Sequence, residues 1–217
     1  MFALATALLI ISHNSLALMV LLFFFVYCVY TRRFRAFWFP AALGVGLSTF
    51  FWFPALSERK YVLFDTTVIS RPADYFLTLK TLPLVGLAGV LAAIVATALR
   101  DEEKRKRFFL AVMFVSIFLF TPLSTPLWQI KTLAAVVQFP YRFLAISMIV
   151  GSWLIEYGVQ YIKKTKKQMF VGLCVLFLLI PLWKTLTSIE RIDRPEGYYT
   201  TNESTTTVHN EYMPKWV

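Results

Sequence analysis

The feature that most constrains this chain is a succession of long apolar runs separated by short basic turns. A helix needs roughly 20 apolar residues to cross a bilayer core of about 30 Å. Six segments reach or approach that length: Ser15–Tyr30, Phe37–Leu56, Leu82–Leu99, Phe108–Phe120, Pro140–Tyr157 and Met169–Trp183. The fourth runs on into Thr121-Pro122-Leu123-Ser124-Thr125-Pro126-Leu127-Trp128. The pattern predicts an all-α, polytopic transmembrane helix bundle over residues 1–184, with an extracytoplasmic polar tail over 185–217 that begins a truncated outer domain. Composition agrees, because 58% of the residues are apolar against roughly 45–50% in soluble domains. No water-soluble core of 217 residues would hide 21 Phe and 6 Trp.

One run is too short to cross. Phe2–Ile11 yields only about 15 Å of helix at 1.5 Å per residue. It reads either as a half-buried segment or as the remainder of a longer one. A signal peptide fits less well, since there is no basic leader and no small-x-small cleavage site.

The charges supply an orientation. Arg32, Arg33 and Arg35 lie in Thr31–Ala36. Arg100, Lys104, Arg105, Lys106 and Arg107 lie in the second turn, and Lys163, Lys164, Lys166 and Lys167 in the third. Short loops dense in Lys and Arg stay in the cytoplasm. His13-Asn14, the loop Ser57–Thr81, the stretch Thr121–Phe139 and the C-terminal tail then fall outside. The same rule accounts for the net charge of +10 without nucleic acid, which is not an expected partner. Cys28 and Cys174 lie in apolar runs and suggest neither a metal site nor a disulfide framework. Gly44, Gly46, Gly86 and Gly89 are expected to let helix backbones approach closely.

Candidate chemistry gathers at the outer ends of the spans. His13 and Asn14 separate two apolar runs, where polar groups either face a cavity or cap a helix, Asn14 or Ser15 being the expected cap. In Gln138-Phe139-Pro140-Tyr141-Arg142-Phe143, Pro140 suits a first helical turn. Arg142 lies one turn further in, either snorkelling to headgroups or gripping an anion with its planar fork. Glu58, Arg59 and Lys60 follow a span, with Asp65 and Asp74 beyond. They read as a solvated edge or as a site whose carboxylates act as a base or hold a cation. The two histidines are far apart, no phosphate loop or nucleophile elbow occurs, and no metal site or cofactor is indicated.

Leu9-Ile10-Ile11-Ser12-His13-Asn14, Phe51-Trp52-Phe53-Pro54-Ala55-Leu56 with Glu58-Arg59-Lys60-Tyr61, Gln138–Leu144 and Asn210-Glu211-Tyr212-Met213-Pro214 occur in that order. Together they resemble the bacterial multi-pass membrane proteins called 6-pyruvoyl-tetrahydropterin synthase-related, which are similar to the C-type glycosyltransferases. The soluble synthases themselves hold zinc through three histidines, a set this chain cannot supply. The resemblance implies an inner-membrane protein that transfers sugar from a polyprenyl-phosphate donor in envelope glycan assembly. It carries His13, Asn14, Arg59, Lys60 and Arg142 over as substrate-binding positions. Asp65 is then the expected catalytic base, with an arginine or lysine neutralising the leaving phosphate. A non-enzymatic membrane scaffold or transporter component is the competing expectation. Ion-coupled transport fits less well, because no charged residue falls at mid-span.

Overall fold

The computed structural model describes residues 1–62, 72–78, 86–99, 103–187 and 189. Those residues form an all-helical bundle. In chain order the helices are α1 (Phe2–Ser12), α2 (Asn14–Tyr30), α3 (Phe34–Leu47), α4 (Thr49–Glu58), α5 (Leu87–Ala98), α6 (Lys104–Leu119), α7 (Thr125–Trp128), α8 (Lys131–Val137), α9 (Phe143–Tyr161) and α10 (Lys164–Thr187). Single 3-10 turns occur at Arg59–Tyr61, Pro72–Tyr75, Pro122–Ser124 and Pro140–Arg142.

Two helical stretches are long and apolar enough to cross a membrane unaided, Pro140–Tyr161 and Lys164–Thr187. Two bent pairs raise the number to four if each counts as one crossing. This is fewer than the six spans expected from the sequence. Two of the expected spans are broken: α3 and α4 meet at 67°, and α6 meets the Pro122–Trp128 segment at 83°. Two others are short, since α2 has 17 residues and the described part of the Leu82–Leu99 run is the 12-residue α5.

Both breaks are built the same way. At the first, Ser48 is fully buried, and its hydroxyl donates to the carbonyls of Gly44 and Val45 at 3.1 and 3.0 Å. The Trp52 indole N–H then donates to Val45 O at 2.9 Å. At the second, the fully buried Ser124 donates to Leu119 O at 3.0 Å. The Trp128 indole donates to the same carbonyl and to Ser124 Oγ, both at 3.1 Å. A helix end leaves its last carbonyls without backbone donors, and here a serine and the tryptophan four residues on supply them. The sequence repeats accordingly, as Ser48-Thr49-Phe50-Phe51-Trp52 and Ser124-Thr125-Pro126-Leu127-Trp128.

Small residues set the packing distances between helices. A Cβ on Gly89 of α5 would lie 2.9 Å from Gly151 Cα of α9. Ala88, Ala92 and Ala96 extend this contact along α5, against Val150 and Leu154 of α9, all five fully or almost fully buried. Phe109 of α6 stacks on Trp153 of α9 at 4.2 Å. A Cβ on Gly44 of α3 would meet Thr6 Cβ at 2.5 Å and Ala3 O at 2.6 Å. This contact seats α1, the run too short to cross, against α3, with Thr6, Ala7 and Ile10 buried. Two of the four expected glycines do different work. Gly46 faces open space, and Gly86 supplies a left-handed residue (φ +76°) before α5. Gly151 and Gly158 take the packing roles instead, Gly158 admitting the Phe170 ring of α10.

The bundle has two chemically distinct ends. Tyr30, closing α2, donates its hydroxyl to Lys104 O at 2.8 Å, which joins the Thr31–Ala36 turn to the start of α6. Lys106 lies 5.9 Å over the Tyr157 ring near the end of α9, so the third basic turn meets the same end. Lys106 is also only 5% exposed. Its ammonium donates to Leu99 O at 2.7 Å, capping α5 rather than lying on a solvated loop. The opposite end collects the α1–α2 hinge, the α3–α4 break, and residues 72–78, 120–128 and 137–143. Leu77 N–H donates to Phe120 O at 2.8 Å there.

Candidate functional site

At that opposite end an open groove of about 780 Å3 runs between α2 and the α3–α4 break. Its floor is apolar, formed by Ala17, Leu18, Leu21, Val45, Phe51 and Leu56. Its polar lining groups are Asn14, Ser15, Glu58 and Gln138. Residues of the three sequence patterns centred on His13-Asn14, Phe51–Glu58 and Gln138 therefore meet in one place, although up to 128 positions of chain lie between them. The 67° bend at the serine–tryptophan break sets α4 off from the line of α3, and residues on both sides of it, Val45 and Phe51, line the groove.

Asn14, Glu58 and Gln138 line the groove, whereas His13, Lys60 and Arg142, near them in the chain, do not. His13 ends α1 and begins α2 in an extended conformation (φ −164°, ψ 96°). Its Nδ1 accepts the Leu16 N–H at 3.3 Å. The cap of α2 is thus His13 rather than Asn14 or Ser15. The acceptor role requires an unprotonated Nδ1. Asn14 sits inside the first turn, where its Oδ1 accepts from Ser15 N–H at 2.7 Å, leaving its amide NH2 without a partner among the described residues.

Gln138 is delivered by strain. It terminates α8 at φ +63°, ψ −56°, and Phe139 N–H donates to Val137 O at 2.8 Å across it. This is a γ-turn of the rare positive-φ form, a conformation that persists only where its surroundings hold it. Arg142 does the holding. Its Nη1 donates to the same Val137 carbonyl at 2.9 Å, and its guanidinium carbon lies 5.1 Å from the centre of the Phe139 ring. The half-buried arginine is anchored one residue from a groove-lining amide, and that bond is the one hydrogen bond of its side chain among the described residues. Neither snorkelling nor open anion capture describes this placement; the side chain braces the turn.

The other expected residues fall as follows. Arg59 and Lys60 lie in the 3-10 turn that follows α4, directly after Glu58. Lys60 is exposed with Nζ 4.9 Å over the Tyr61 ring. Asp65 lies outside the described residues, as does the tail from 190 onward. Asp74 is exposed in the Pro72–Tyr75 turn. Among the described residues, Glu58 is therefore the carboxylate that lines the groove. Among the described residues no cluster of three His, Cys, Asp or Glu side chains is arranged to hold a metal ion. Sequence reasoning passed over Trp52 and Gln138 as site builders. The repeated Ser-Thr-x-x-Trp pentapeptide was the available signal for the first; a non-glycine γ-turn has none.

No known protein family, characterised protein or solved structure matches this chain.

Proposed function

We propose that the chain is the membrane part of a protein of C-type glycosyltransferase character, and that its groove holds a polyprenyl-phosphate-linked sugar. The observation that carries this reading is the groove's composition: an apolar floor combined with the polar groups of Asn14, Ser15, Glu58 and Gln138. Amphipathic ligands are recognised by this pairing of an apolar wall with a few convergent polar groups.

In this reading the three basic turns lie in the cytoplasm and the groove opens on the outer side of a bacterial inner membrane, where lipid-linked donors present their sugars. The six-span topology belongs to the same proposal. There α2 crosses as about 25 Å of helix, α5 lies within the crossing expected for Leu82–Leu99, and each bent pair crosses with its first helix and turns at the outer boundary.

The chemistry follows from the charges at the groove. An acceptor hydroxyl attacks the anomeric carbon, the bond from that carbon to the phosphate oxygen breaks, and the phosphate leaves with the bonding electrons. Glu58 is placed to take the acceptor proton. Arg59 and Lys60, adjacent in the chain, carry the positive charge that the leaving phosphate needs. Arg142 and Gln138 act together, the arginine fixing the turn and the amide presenting hydrogen bonds to the sugar.

The test is saturation binding of polyprenyl phosphate to the purified chain in detergent. Ala55→Trp, which fills the groove without touching a charge, should abolish saturable binding. Arg142→Ala, which releases the turn that presents Gln138, should weaken it about tenfold, the value of one hydrogen bond. Wild-type protein that binds no polyprenyl phosphate, or binding indifferent to Ala55→Trp, would rule the groove out and favour a scaffold.

A further inference from the structure

The basic end of the bundle holds a second, smaller cavity of about 290 Å3. Its walls are the rings of Phe2, Phe24, Tyr27 and Phe37, and two arginines from different loops, Arg33 and Arg105, reach it. Neither guanidinium group has a hydrogen-bond or ion-pair partner among the described residues.

Local structure explains how the two cations come together. Helix α2 ends with Arg32 N–H donating to Val29 O at 3.0 Å and Arg33 N–H to Cys28 O at 2.7 Å. This is the paired bonding of a Schellman turn, with Arg32 in the left-handed position (φ +58°) that glycine usually fills. The turn folds Arg33 back over the last turn of α2, beside Cys28. Arg105 arrives on the first turn of α6, which is pinned to α2 by the Tyr30–Lys104 hydrogen bond and by Tyr30 and Tyr27 packing on Phe108 at 4.9 and 5.4 Å. Phe2 closes the other side, edge-on to Phe24 at 6.0 Å and to Phe37 at 5.8 Å.

Arg105 lies in the first turn of α6, where the macrodipole disfavours positive charge, whereas Arg33 sits between the C-terminus of α2, which favours it, and the N-terminus of α3. Neither α3 nor α6 has a side-chain capping hydrogen bond or an acidic residue in its first turn, although Glu103 is the N-cap residue of α6. A bound anion would bridge the two guanidinium groups, and the aromatic walls select one that carries an apolar body. Basic pockets between membrane helices hold lipid headgroups on these terms.

We propose that this cavity binds the phosphate headgroup of an anionic membrane phospholipid, gripped by Arg33 and Arg105, with its glycerol and upper acyl groups against Phe2, Phe24 and Phe37. The site is separate from the groove and stands on the membrane reading alone, whether or not the groove binds a sugar donor.

The experiment is native mass spectrometry of the full chain released from phosphatidylcholine micelles doped with phosphatidylglycerol. Wild-type protein should retain phosphatidylglycerol after phosphatidylcholine is stripped. Arg33→Gln and Arg105→Gln should each lower the retained fraction roughly tenfold, as expected for one lost charge-assisted contact. Arg35→Gln removes the same charge from the same turn outside the cavity and should change little. Ala36→Trp fills the cavity with every charge kept and should also abolish retention, so the test survives if an arginine variant fails to fold. Equal losses in all three arginine variants would mean diffuse attraction and overturn the proposal. So would retention unaffected by Ala36→Trp. Displacement of the lipid by inorganic phosphate would reassign the cavity to a free anion.

Discussion

Arg32 occupies a left-handed conformation (φ +58°) that costs a residue with a Cβ about 1 kcal/mol relative to glycine. Arg32→Gly should therefore stabilise the α2–α3 turn by about that amount, read as a higher apparent melting temperature in detergent. A lower one would mean that the arginine side chain itself secures the turn. His13 and Arg142 show what was legible at this scale. The sequence marked His13-Asn14 as a boundary with a cap, and it is one. The cap fell to the histidine because α2 starts one residue earlier than the preference for Asn and Ser suggests. Arg142 was visible as a cation just inside the end of an apolar helix. Its actual partner, the Val137 carbonyl, exists only because Gln138 adopts a strained turn, and no residue type announces that turn in advance.

Among the elements, the two breaks carry the clearest prediction. Trp128 is buried and serves two acceptors, Leu119 O and Ser124 Oγ, whereas Trp52 is half-exposed and serves Val45 O. Trp128→Phe should cost about 1–3 kcal/mol, the loss of two hydrogen bonds at a buried site. Trp52→Phe should cost clearly less in stability, because water can replace its indole. Comparable losses in detergent melts would show that the bends do not depend on these hydrogen bonds. Packing glycines separate in the same way. Gly89→Ala forces a methyl against the Gly151 backbone and should destabilise by about 1–3 kcal/mol. Gly46→Ala meets nothing and should be neutral or stabilising by up to about 1 kcal/mol. Composition could nominate glycines for packing but could not rank Gly46 below Gly151, since the difference lies in which face of each helix meets a neighbour. The apolar runs were equally plain, yet hydropathy is blind to a helix that breaks while staying apolar. That is how α3–α4 read as one span.

Over the whole molecule, the apolar surface is arranged as a bilayer would require. Helix α10 is peripheral, with only 11% of its apolar window buried against 39% for Pro140–Tyr161. It contacts the core through Phe170 and Cys174 and leaves Leu176, Leu178, Leu179 and Leu182 uncovered. In water such a face would demand a partner; in lipid it is already solvated. The alternation of basic and non-basic turns was legible from charge alone, and the fold gathers the basic turns at one end and the groove at the other. What charge could not reveal was the pair of cavities at those ends, because each is lined by residues distant in sequence. The measurement that tests this account most directly is site-directed labelling with a membrane-impermeant maleimide in sealed cells, on a background carrying Cys28→Ser and Cys174→Ala. Single cysteines introduced by Ser57→Cys and Gln129→Cys, both at exposed positions of the groove end, should label from outside. Those introduced by Arg35→Cys and Lys163→Cys, exposed in the basic turns, should label only after permeabilisation. Labelling of all four positions from one side would contradict a bundle that crosses the membrane between its two ends.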